Sequence, residues 1–220
     1  MKGRKLVLLV ALVTDLLWSH AQSTIGVTGV RDTSYSTQRE YQKLKKDYPQ
    51  ILVPAPLLSR SVTEKKGLVY CTVGSRNLKL DVFYPSPITK EVRNAIVFIH
   101  GGGWRSGSKE QHHALAQRLA GLGYVCFTPE YRLSTEALFP AAVHDLKTAV
   151  RWVRSQAKAY GYNPDKIAVA GFSAGGELAA FIGNTNEQPA YEGNNCLPRI
   201  SSTVQAILNL DGTLSFVHPE

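Results

Sequence analysis

The stretch that decides the fold is "KIAVAGFSAGGELAAF", residues 166–181. Its first half is a run of small and branched apolar residues typical of a buried strand, and its second half has the composition of a helix. One serine, Ser173, stands at the junction between two glycines, in the pattern G-x-S-x-G. In that pattern a sharp strand-to-helix turn raises the serine hydroxyl out of the sheet. The pattern also occurs by chance, so its meaning depends on the segments around it.

These surrounding segments alternate between strands and helices. Apolar runs of strand length occur at 95–100, 124–128, 166–171 and 204–212. Segments with helical character lie between them, at 109–122, 141–160 and 174–183. Strands that alternate with helices predict a mostly parallel sheet with helices on both faces. We therefore expect an α/β fold.

Two further strands precede the alternating region. The segments "GLVYCTV" (67–73) and "NLKLDVFYP" (77–85) each alternate between apolar and polar residues and are separated by a turn, so they predict an antiparallel hairpin. A second turn is expected at 163–165, where Asn, Pro and Asp precede the next strand. The predicted sheet therefore has six strands.

The region before residue 67 is expected to contain a leader and a connecting segment. Residues 1–21 have a basic start, an apolar run too short to span a bilayer and small residues at the end, which is the order of a secretory signal peptide. A buried N-terminal helix or strand is the alternative. Residues 22–66 form an N-terminal extension that is expected to be loose up to residue 35. A capping-box pattern at 37–40 predicts one short helix, which ends near Asp47.

Charge and cysteine spacing argue against several classes of function. Residues 1–21 hold three of the 25 basic residues and one of the 17 acidic residues, so 22 basic and 16 acidic residues remain without them. This positive charge is scattered and not interleaved with aromatic residues, which argues against nucleic-acid binding. Cys71, Cys126 and Cys196 match no zinc or redox spacing, and no metal site is expected. Cys126 is expected to be a core thiol, while any disulfide pairing stays open.

A second glycine-rich motif directly follows the strand at 95–100. It is "HGGGWRSG", residues 100–107, whose glycines allow backbone N–H groups to turn inward without interference from Cβ atoms. Such a loop supplies part of an oxyanion hole, the set of donors that stabilises a negatively charged oxygen. A phosphate-binding loop is the alternative. That class carries Lys and Ser or Thr after its glycines, whereas Trp104 and Arg105 stand here.

Four motifs occur in an order that resembles one enzyme family. They are "HGGGW" (100–104), "PEYRLS" (129–134), "FPAAVHDLKTAVRWVR" (139–154) and "NPDKIAVAGFSAGGELAA" (163–180). Together they resemble the α/β-hydrolase fold serine esterases of the hormone-sensitive-lipase-like and carbohydrate-esterase type, which includes acetyl-xylan and feruloyl esterases. The similarity is dense over residues 79–181.

This resemblance assigns roles to residues of both glycine motifs. It implies Ser173 as the catalytic nucleophile. It implies an oxyanion hole formed by the backbone amides of Gly102, Gly103 and Ala174. His100 and Trp104 are expected to support the loop. The implied chemistry requires no metal and no cofactor.

The resemblance also implies eight strands, with the triad acid after the seventh and the histidine after the eighth. Because only six strands are predicted, we expect residues 67–220 to be an α/β-hydrolase domain truncated after the sixth strand, as the N-terminal portion of a longer chain. Asp211 ends the sixth strand, at the edge where active sites lie in such sheets, and is a candidate acid on position alone. His218 follows it, but no strand would hold His218 near Ser173.

Other polar residues of these motifs are expected to be structural. His112 and His113 open a helix and are expected to be exposed, and His144 lies on the long helix at 141–160. Arg132 and Asp145 are expected to form an ion pair that serves packing rather than catalysis.

The resemblance implies a serine esterase, and the signal-peptide pattern at residues 1–21 predicts that it is secreted or periplasmic. Its substrate would be a small ester or an ester linked to a plant polysaccharide, such as an acetyl or feruloyl ester, cleaved through an acyl-enzyme on Ser173. These substrates are the expected partners, with no nucleic acid and no stable membrane anchor. An amidase or peptidase of the same fold, and a non-catalytic relative that acts as a binding module, are the alternatives.

Overall fold

A computed structural model describes residues 24–57, 59–88 and 92–215, so the expected signal peptide and His218 lie outside the described residues. The sheet consists of β1 (Val62–Val73), β2 (Arg76–Pro85), β3 (Arg93–Ile99), β4 (Val125–Pro129), β5 (Tyr162–Phe172) and β6 (Ala206–Leu210). Its order is β1-β2-β4-β3-β5-β6. β2 is antiparallel to β1 and β4, whereas β4, β3, β5 and β6 run parallel. The mostly parallel six-stranded sheet confirms the predicted fold class.

Helices cover both faces of this sheet. They are α1 (Thr37–Leu44), a 3₁₀ turn (Lys109–His112) that leads into α2 (His113–Gly121), α3 (Ala141–Ser155), α4 (Ala157–Tyr160), α5 (Ala174–Asn184) and α6 (Pro189–Glu192). Ala116 of α2 packs in one buried cluster with Phe98, while Leu146 of α3 and Leu178 of α5 pack in another with Val97. Since Val97 and Phe98 are consecutive on β3, they point to opposite faces. No helix among the described residues is long and apolar enough to cross a bilayer.

The boundaries of these elements differ most from the predictions at three places in the sheet and the helices that cover it. β1 begins at Val62 rather than at residue 67. The helix predicted over 141–160 is interrupted at Gln156, between α3 and α4. The turn predicted at 163–165 lies inside β5 as a bulge, because β3 pairs with β5 on both sides of it. The amide of Asp165 donates to the asparagine side chain two residues earlier at 2.8 Å, which is the hydrogen bond expected of an asparagine that begins a turn.

The N-terminal extension packs against the loops that follow β3 and β4, which contradicts the expectation that its first part is loose. The amides of Thr28 and Gly29 both donate to the carbonyl oxygen of Thr135 at 2.9 Å. The amide of Gly107 donates to the carbonyl oxygen of Asp32 at 3.1 Å. These partners lie far away in the sequence, so no local pattern could indicate them.

The short helix predicted in this extension is present, with its capping shifted by one residue. Ser36 is the N-cap of α1, and its hydroxyl accepts a hydrogen bond from the amide of Arg39 at 3.3 Å. Thr37 is therefore the first helical residue rather than the cap. The helix ends at Leu44, before the predicted end at Asp47.

The cysteines form one disulfide bond and one core thiol. Cys71 on β1 and Cys196 in the segment after α6 are bonded, with a sequence separation of 125 residues. Cys126 on β4 is free and buried, which confirms its expected place in the core. The disulfide resolves the pairing that the sequence left open.

A buried ion pair joins α3 to the segment that follows β4. Asp145 is fully buried and accepts hydrogen bonds from the backbone amide, Nε and Nη2 of Arg132 at 3.0, 2.8 and 2.7 Å. This contact confirms the predicted pair. Because removing one partner of a buried pair leaves the other charge unsatisfied, the pair is strongly coupled to stability.

We expect Asp145→Asn to lower the free energy of unfolding by about 3 kcal/mol, since the partly buried Arg132 guanidinium would lose its counter-charge. Urea denaturation followed by circular dichroism measures this change. Asp165→Asn, at an exposed aspartate in the β5 bulge, is the matched control and should change stability little. Unchanged stability of Asp145→Asn would contradict the structural role of the pair.

Candidate active site

Ser173 occupies the turn between β5 and α5. Its backbone has φ 54° and ψ −126°, a conformation that is strained for a residue with a side chain. Its amide donates to the carbonyl oxygen of Leu210 on β6 at 2.9 Å, and its own carbonyl accepts from the amide of Gly176 at 2.8 Å. Ser173 is exposed, so the turn presents its hydroxyl to solvent at the carboxyl end of the parallel strands.

The two glycines of the G-x-S-x-G motif permit close backbone contacts at this turn. A Cβ atom at Gly171 would lie 1.9 Å from the carbonyl oxygen of Gly175. A Cβ atom at Gly175 would lie 2.2 Å from the carbonyl oxygen of Ile99 at the end of β3. Both distances are far shorter than any van der Waals contact, so any larger residue would push α5 away from the sheet.

The loop at 100–107 lies beside Ser173. A Cβ atom at Gly101 would lie 2.7 Å from the carbonyl oxygen of Phe172 and 3.4 Å from Cβ of Ser173. Gly102, Gly103 and Ser173 line one cleft with a volume of about 780 Å³. The two glycine motifs, which are separated by about 70 residues in sequence, therefore meet at one cleft.

Unpaired backbone amides belong to the two segments next to Ser173, which are the glycine loop and the start of α5. In the described part of the chain, the amides of Gly102, Gly103 and Ala174 donate to no acceptor within the protein. Ala174 is the first residue of α5, so its N–H is one of the free N-terminal donors of a helix, where the dipole favours negative charge. Preorganised donors of this kind can stabilise an oxyanion that develops on a substrate.

His100 supports the loop and is fully buried. Its ring stacks on Tyr131 with a centroid distance of 4.4 Å, and its Nδ1 lies 3.0 Å from the carbonyl oxygen of Gly101. The hydroxyl of Tyr131 donates to the carbonyl oxygen of His100 at 2.9 Å. Burial lowers the pKa of His100 to about 3, so the imidazole is neutral at physiological pH.

Trp104 connects the loop to α5 through a residue that the sequence analysis did not single out. Its Nε1 donates to Oε2 of Glu177 at 3.1 Å. Burial raises the pKa of Glu177 above its usual range, an effect that this hydrogen bond partly offsets. Glu177 follows Ser173 by four residues, which places both on one side of the helix start, and this spacing is the signal that could have identified it.

The N-terminal extension forms another wall of the cleft. Arg39, Glu40 and Lys43 of α1 line it together with the loop and Ser173. The amide of Tyr35 donates to the hydroxyl of Ser106 at 2.8 Å and so fixes the extension to the loop. Sequence reasoning missed these residues, because nothing in the local pattern of the extension points to a glycine loop so far along the chain.

The expectation that His112 and His113 are exposed is wrong. The helix opens with a 3₁₀ turn that directs His112 into the core, where its Nε2 lies 3.2 Å from the carbonyl oxygen of Ile99 and its ring contacts Phe172. His113 is largely buried, and its Nε2 lies 2.7 Å from Oδ2 of Asp81. Both side chains therefore serve packing and hydrogen bonding inside the domain.

The described histidines do not provide a base for Ser173. His100, His112 and His113 make the contacts given above, and His144 on α3 lies against Gly193. Among the described residues, no histidine forms a hydrogen bond with the hydroxyl of Ser173.

A cluster of possible metal ligands lies at the start of α2, and an ammonium group already neutralises it. Ligand atoms of Asp81, Glu110 and His113 lie within 4.8 Å of one another. Nζ of Lys109 binds Asp81 at 2.5 Å and Glu110 at 3.0 Å. Burial by itself raises the pKa of Asp81, but hydrogen bonds from His113, Lys109 and the amide of Gly67 outweigh it and hold that pKa at about 2. We interpret the cluster as a structural ion-pair network.

Asp211 lies next to the Ser173 turn at the sheet edge. Phe172 pairs with Leu210, and Ser173 and Asp211 are the residues that directly follow them. Asp211 is exposed, with φ 58°. Within the described ranges it makes no hydrogen bond to a histidine, so its role as the triad acid stays a prediction.

β5 passes into α5 through a sharp turn with Ser173 at its tip. This turn distinguishes α/β-hydrolases from other proteins with parallel sheets. The glycine loop beside Ser173 points to the esterases of that fold. The sequence model of the BD-FAE family matches residues 80–220, which is more than half of the chain. The chain therefore belongs to the BD-FAE family.

Named relatives of known sequence or structure agree with this placement. Esterase LipC of Mycobacterium tuberculosis is 36% identical over 135 residues, which cover 60% of this chain and 33% of LipC. Carboxylesterase NlhH of the same species is 34% identical over 134 residues, covering 60% of this chain and 41% of NlhH. The butyrate-bound esterase Est2 of Thermogutta terrifontis has a TM-score of 0.59 at 37% identity, covering 68% of this chain and 53% of Est2. The chain thus spans between a third and about half of these relatives.

We expect Gly175→Ala to disrupt the strand-to-helix turn at Ser173, because its Cβ would overlap the carbonyl oxygen of Ile99. The variant should lose several degrees of melting temperature and react slowly with serine-directed reagents. Gly74→Ala is the matched control, since a Cβ there meets no atom within 4 Å, and only the positive φ of that turn is affected. Equal effects of the two substitutions on both measurements would show that the close contact at Gly175 is unimportant.

The buried neutral state of His100 predicts a pH dependence of stability. Between the ordinary histidine pKa near 6.5 and the folded value of about 3, the unfolded chain binds a proton at this residue that the folded chain does not. The free energy of unfolding should therefore fall as the pH falls from 7 to 5, a range in which most carboxylates stay ionised. Urea denaturation across this range should give a shallower slope for His100→Gln than for the parent protein, and equal slopes would contradict the assignment.

Proposed function

We propose that this chain belongs to a serine hydrolase that cleaves carboxylic esters through an acyl-enzyme on Ser173. The observation that carries the proposal is the exposed hydroxyl of Ser173 beside the unpaired amides of Gly102 and Gly103. The names of LipC and NlhH, an esterase and a carboxylesterase, support the same reaction class.

The proposed reaction has two halves. Oγ of Ser173 attacks the ester carbonyl carbon while its proton passes to a general base. The carbonyl oxygen becomes an oxyanion and accepts hydrogen bonds from the amides of Gly102, Gly103 and Ala174, each typically worth about 3 kcal/mol in the transition state. Collapse of this intermediate breaks the bond to the alcohol, which leaves with the proton. Water then attacks the acyl-enzyme and releases the acid.

We place the general base, a histidine, outside the described residues, since none of the four described histidines contacts the hydroxyl of Ser173. Asp211 is the candidate acid to orient that histidine, because it follows β6 beside the Ser173 turn. The scheme uses no metal and no cofactor.

The proposed substrates are small carboxylic esters, and acetyl or feruloyl esters of plant polysaccharides are the finer proposal. Est2 has been solved with butyrate bound, which supports a short acyl group in a related protein. The cleft of about 780 Å³ beside Ser173 leaves room for an ester that is larger than the acyl group alone. The polysaccharide component depends on the family resemblance.

We propose that the protein is exported to the periplasm or the exterior. Residues 1–21 have the order of a signal peptide. The disulfide between Cys71 and Cys196 supports the proposal, because such bonds persist in oxidising compartments and are rare in the cytosol.

A non-catalytic binding module is the second candidate function. The observation in its favour is that no described histidine is hydrogen-bonded to Ser173. Such a protein would keep the cleft but would not form an acyl-enzyme at an appreciable rate. An amidase or peptidase of the same fold would be recognised by its preference for amide substrates.

We expect the full-length protein to react with a fluorophosphonate at Ser173 and to hydrolyse p-nitrophenyl acetate. Ser173→Ala should abolish labelling and lower turnover by about a thousandfold or more, since the nucleophile is lost. Mass spectrometry of the labelled peptide and initial rates measure the two effects. Ser155→Ala, at an exposed serine at the end of α3, is the matched control.

The labelling and hydrolysis results distinguish the serine esterase from the binding module and from an amidase or peptidase. A parent protein that resists the reagent and hydrolyses nothing supports the binding module. Labelling that persists in Ser173→Ala would overturn the nucleophile assignment. Parallel rates with a feruloyl ester and a peptide amide distinguish esterase from amidase or peptidase activity.

A further inference from the structure

Arg31 of the N-terminal extension contacts both ends of the glycine loop. Its Nη2 lies 3.5 Å from Nε2 of His100 and 3.4 Å from the carbonyl oxygen of Gly107. Its Nη1 donates to the carbonyl oxygen of Tyr131 at 2.8 Å, and the ring of Tyr131 stacks on His100. One guanidinium thus holds the residues that begin and end the loop at 100–107.

Two carboxylates fix the position of this guanidinium. Arg31 pairs with Glu136 at 3.4 Å and with Glu130 at 3.9 Å, and its side chain is only 17% exposed. Arg76 of β2 pairs with the same two carboxylates at 2.8 and 2.9 Å. Glu130 and Glu136 thereby hold Arg31 beside His100, whereas Arg76 pairs with these carboxylates from the side of β2 and does not itself contact Arg31.

The position of Arg31 determines which nitrogen of His100 carries the proton. A guanidinium has N–H donors and no acceptor, so the imidazole nitrogen that faces it must be the acceptor. His100 is buried and neutral, and a neutral ring carries a single N–H. That proton is therefore on Nδ1, which donates to the carbonyl oxygen of Gly101 at 3.0 Å.

The carbonyl of Gly101 and the amide of Gly102 belong to one peptide unit. In a trans peptide these two groups point in opposite directions. Holding the carbonyl towards His100 therefore directs the N–H of Gly102 away from it, and Gly102 lines the cleft beside Ser173. The direction of this donor is set through His100 by a residue outside the loop.

We propose that Arg31 is a positioning residue: it selects the His100 tautomer that orients the Gly101–Gly102 peptide and thereby aims the Gly102 amide at the oxyanion. The inference rests on the proposed function of Ser173. It makes the N-terminal extension part of the catalytic machinery, because the residues that contact substrate are held by a side chain of that extension.

The test uses Arg31→Ala and Arg31→Lys in the full-length protein. The imidazole ¹⁵N shifts of His100 should show the Nδ1–H tautomer in the parent protein and a mixture of tautomers in both variants. The kcat for p-nitrophenyl acetate should fall by about 10- to 100-fold, less than for removal of a whole donor, while KM changes by less than about twofold. Arg31→Lys keeps the charge for Glu136, so it guards against a simple failure to fold.

Arg76→Ala is the matched control, because Arg76 shares the carboxylate network but donates its hydrogen bonds to Glu130, Glu136 and Asn77 and none to His100. It should lower the melting temperature as Arg31→Ala does, yet leave the tautomer and kcat unchanged. An unchanged tautomer in Arg31→Ala, or an equal loss of kcat in Arg76→Ala, would overturn the proposal. The tautomer is observed without turnover, so an inactive parent protein would refute the proposed function and not this inference.

Discussion

Direct backbone contact between α5 and the sheet, which two glycines make possible, determines the geometry of the Ser173 turn and of the cleft beside it. At Gly171 and Gly175, α5 approaches β5 and β3 more closely than any Cβ atom would allow. The chain can therefore pass from strand to helix within one residue, and the strained conformation of Ser173 is the consequence. The same approach brings the free N-terminal amide of α5 to the carboxyl end of the parallel strands, next to the loop after β3. The conformation of Ser173 and the position of the free amide at the start of α5 thus follow from the close packing of this helix on the sheet.

The cleft is built from two parts of the chain with different relations to the family. The match to the BD-FAE family begins at residue 80, and it includes Ser173 and the glycine loop. The wall formed by α1 lies before it, as does Arg31. The motifs on which the proposed ester cleavage depends therefore lie in the part of the chain that matches the family, while one wall of the cleft is formed by residues before that match. Under the proposed function, selectivity among esters is therefore to be sought in the α1 residues that line the cleft, Arg39, Glu40 and Lys43, as well as in the shared motifs.

Much of the fold could be predicted because its signals are local. Alternation in the hairpin, apolar runs and the G-x-S-x-G motif each lie within a few residues, so the sheet and the strand-to-helix turn at Ser173 were predicted correctly. The contacts that were missed join residues far apart, such as Arg31 with His100 and Tyr35 with Ser106. The burial of His112 was missed for a related reason, since a 3₁₀ turn alters which side of the helix start faces the core. The partner of Cys71 also depends on the complete fold.

The disulfide between Cys71 and Cys196 keeps the two parts of the domain connected if a protease cuts the chain between these residues. Cys71 and Cys196 enclose the glycine loop, the turn at Ser173 and the strands from β2 to β5 in one covalent ring. A protease that cuts once inside this ring produces a nicked molecule whose two pieces remain attached. Such a nicked molecule can retain both halves of its cleft after damage that would separate an uncrosslinked chain.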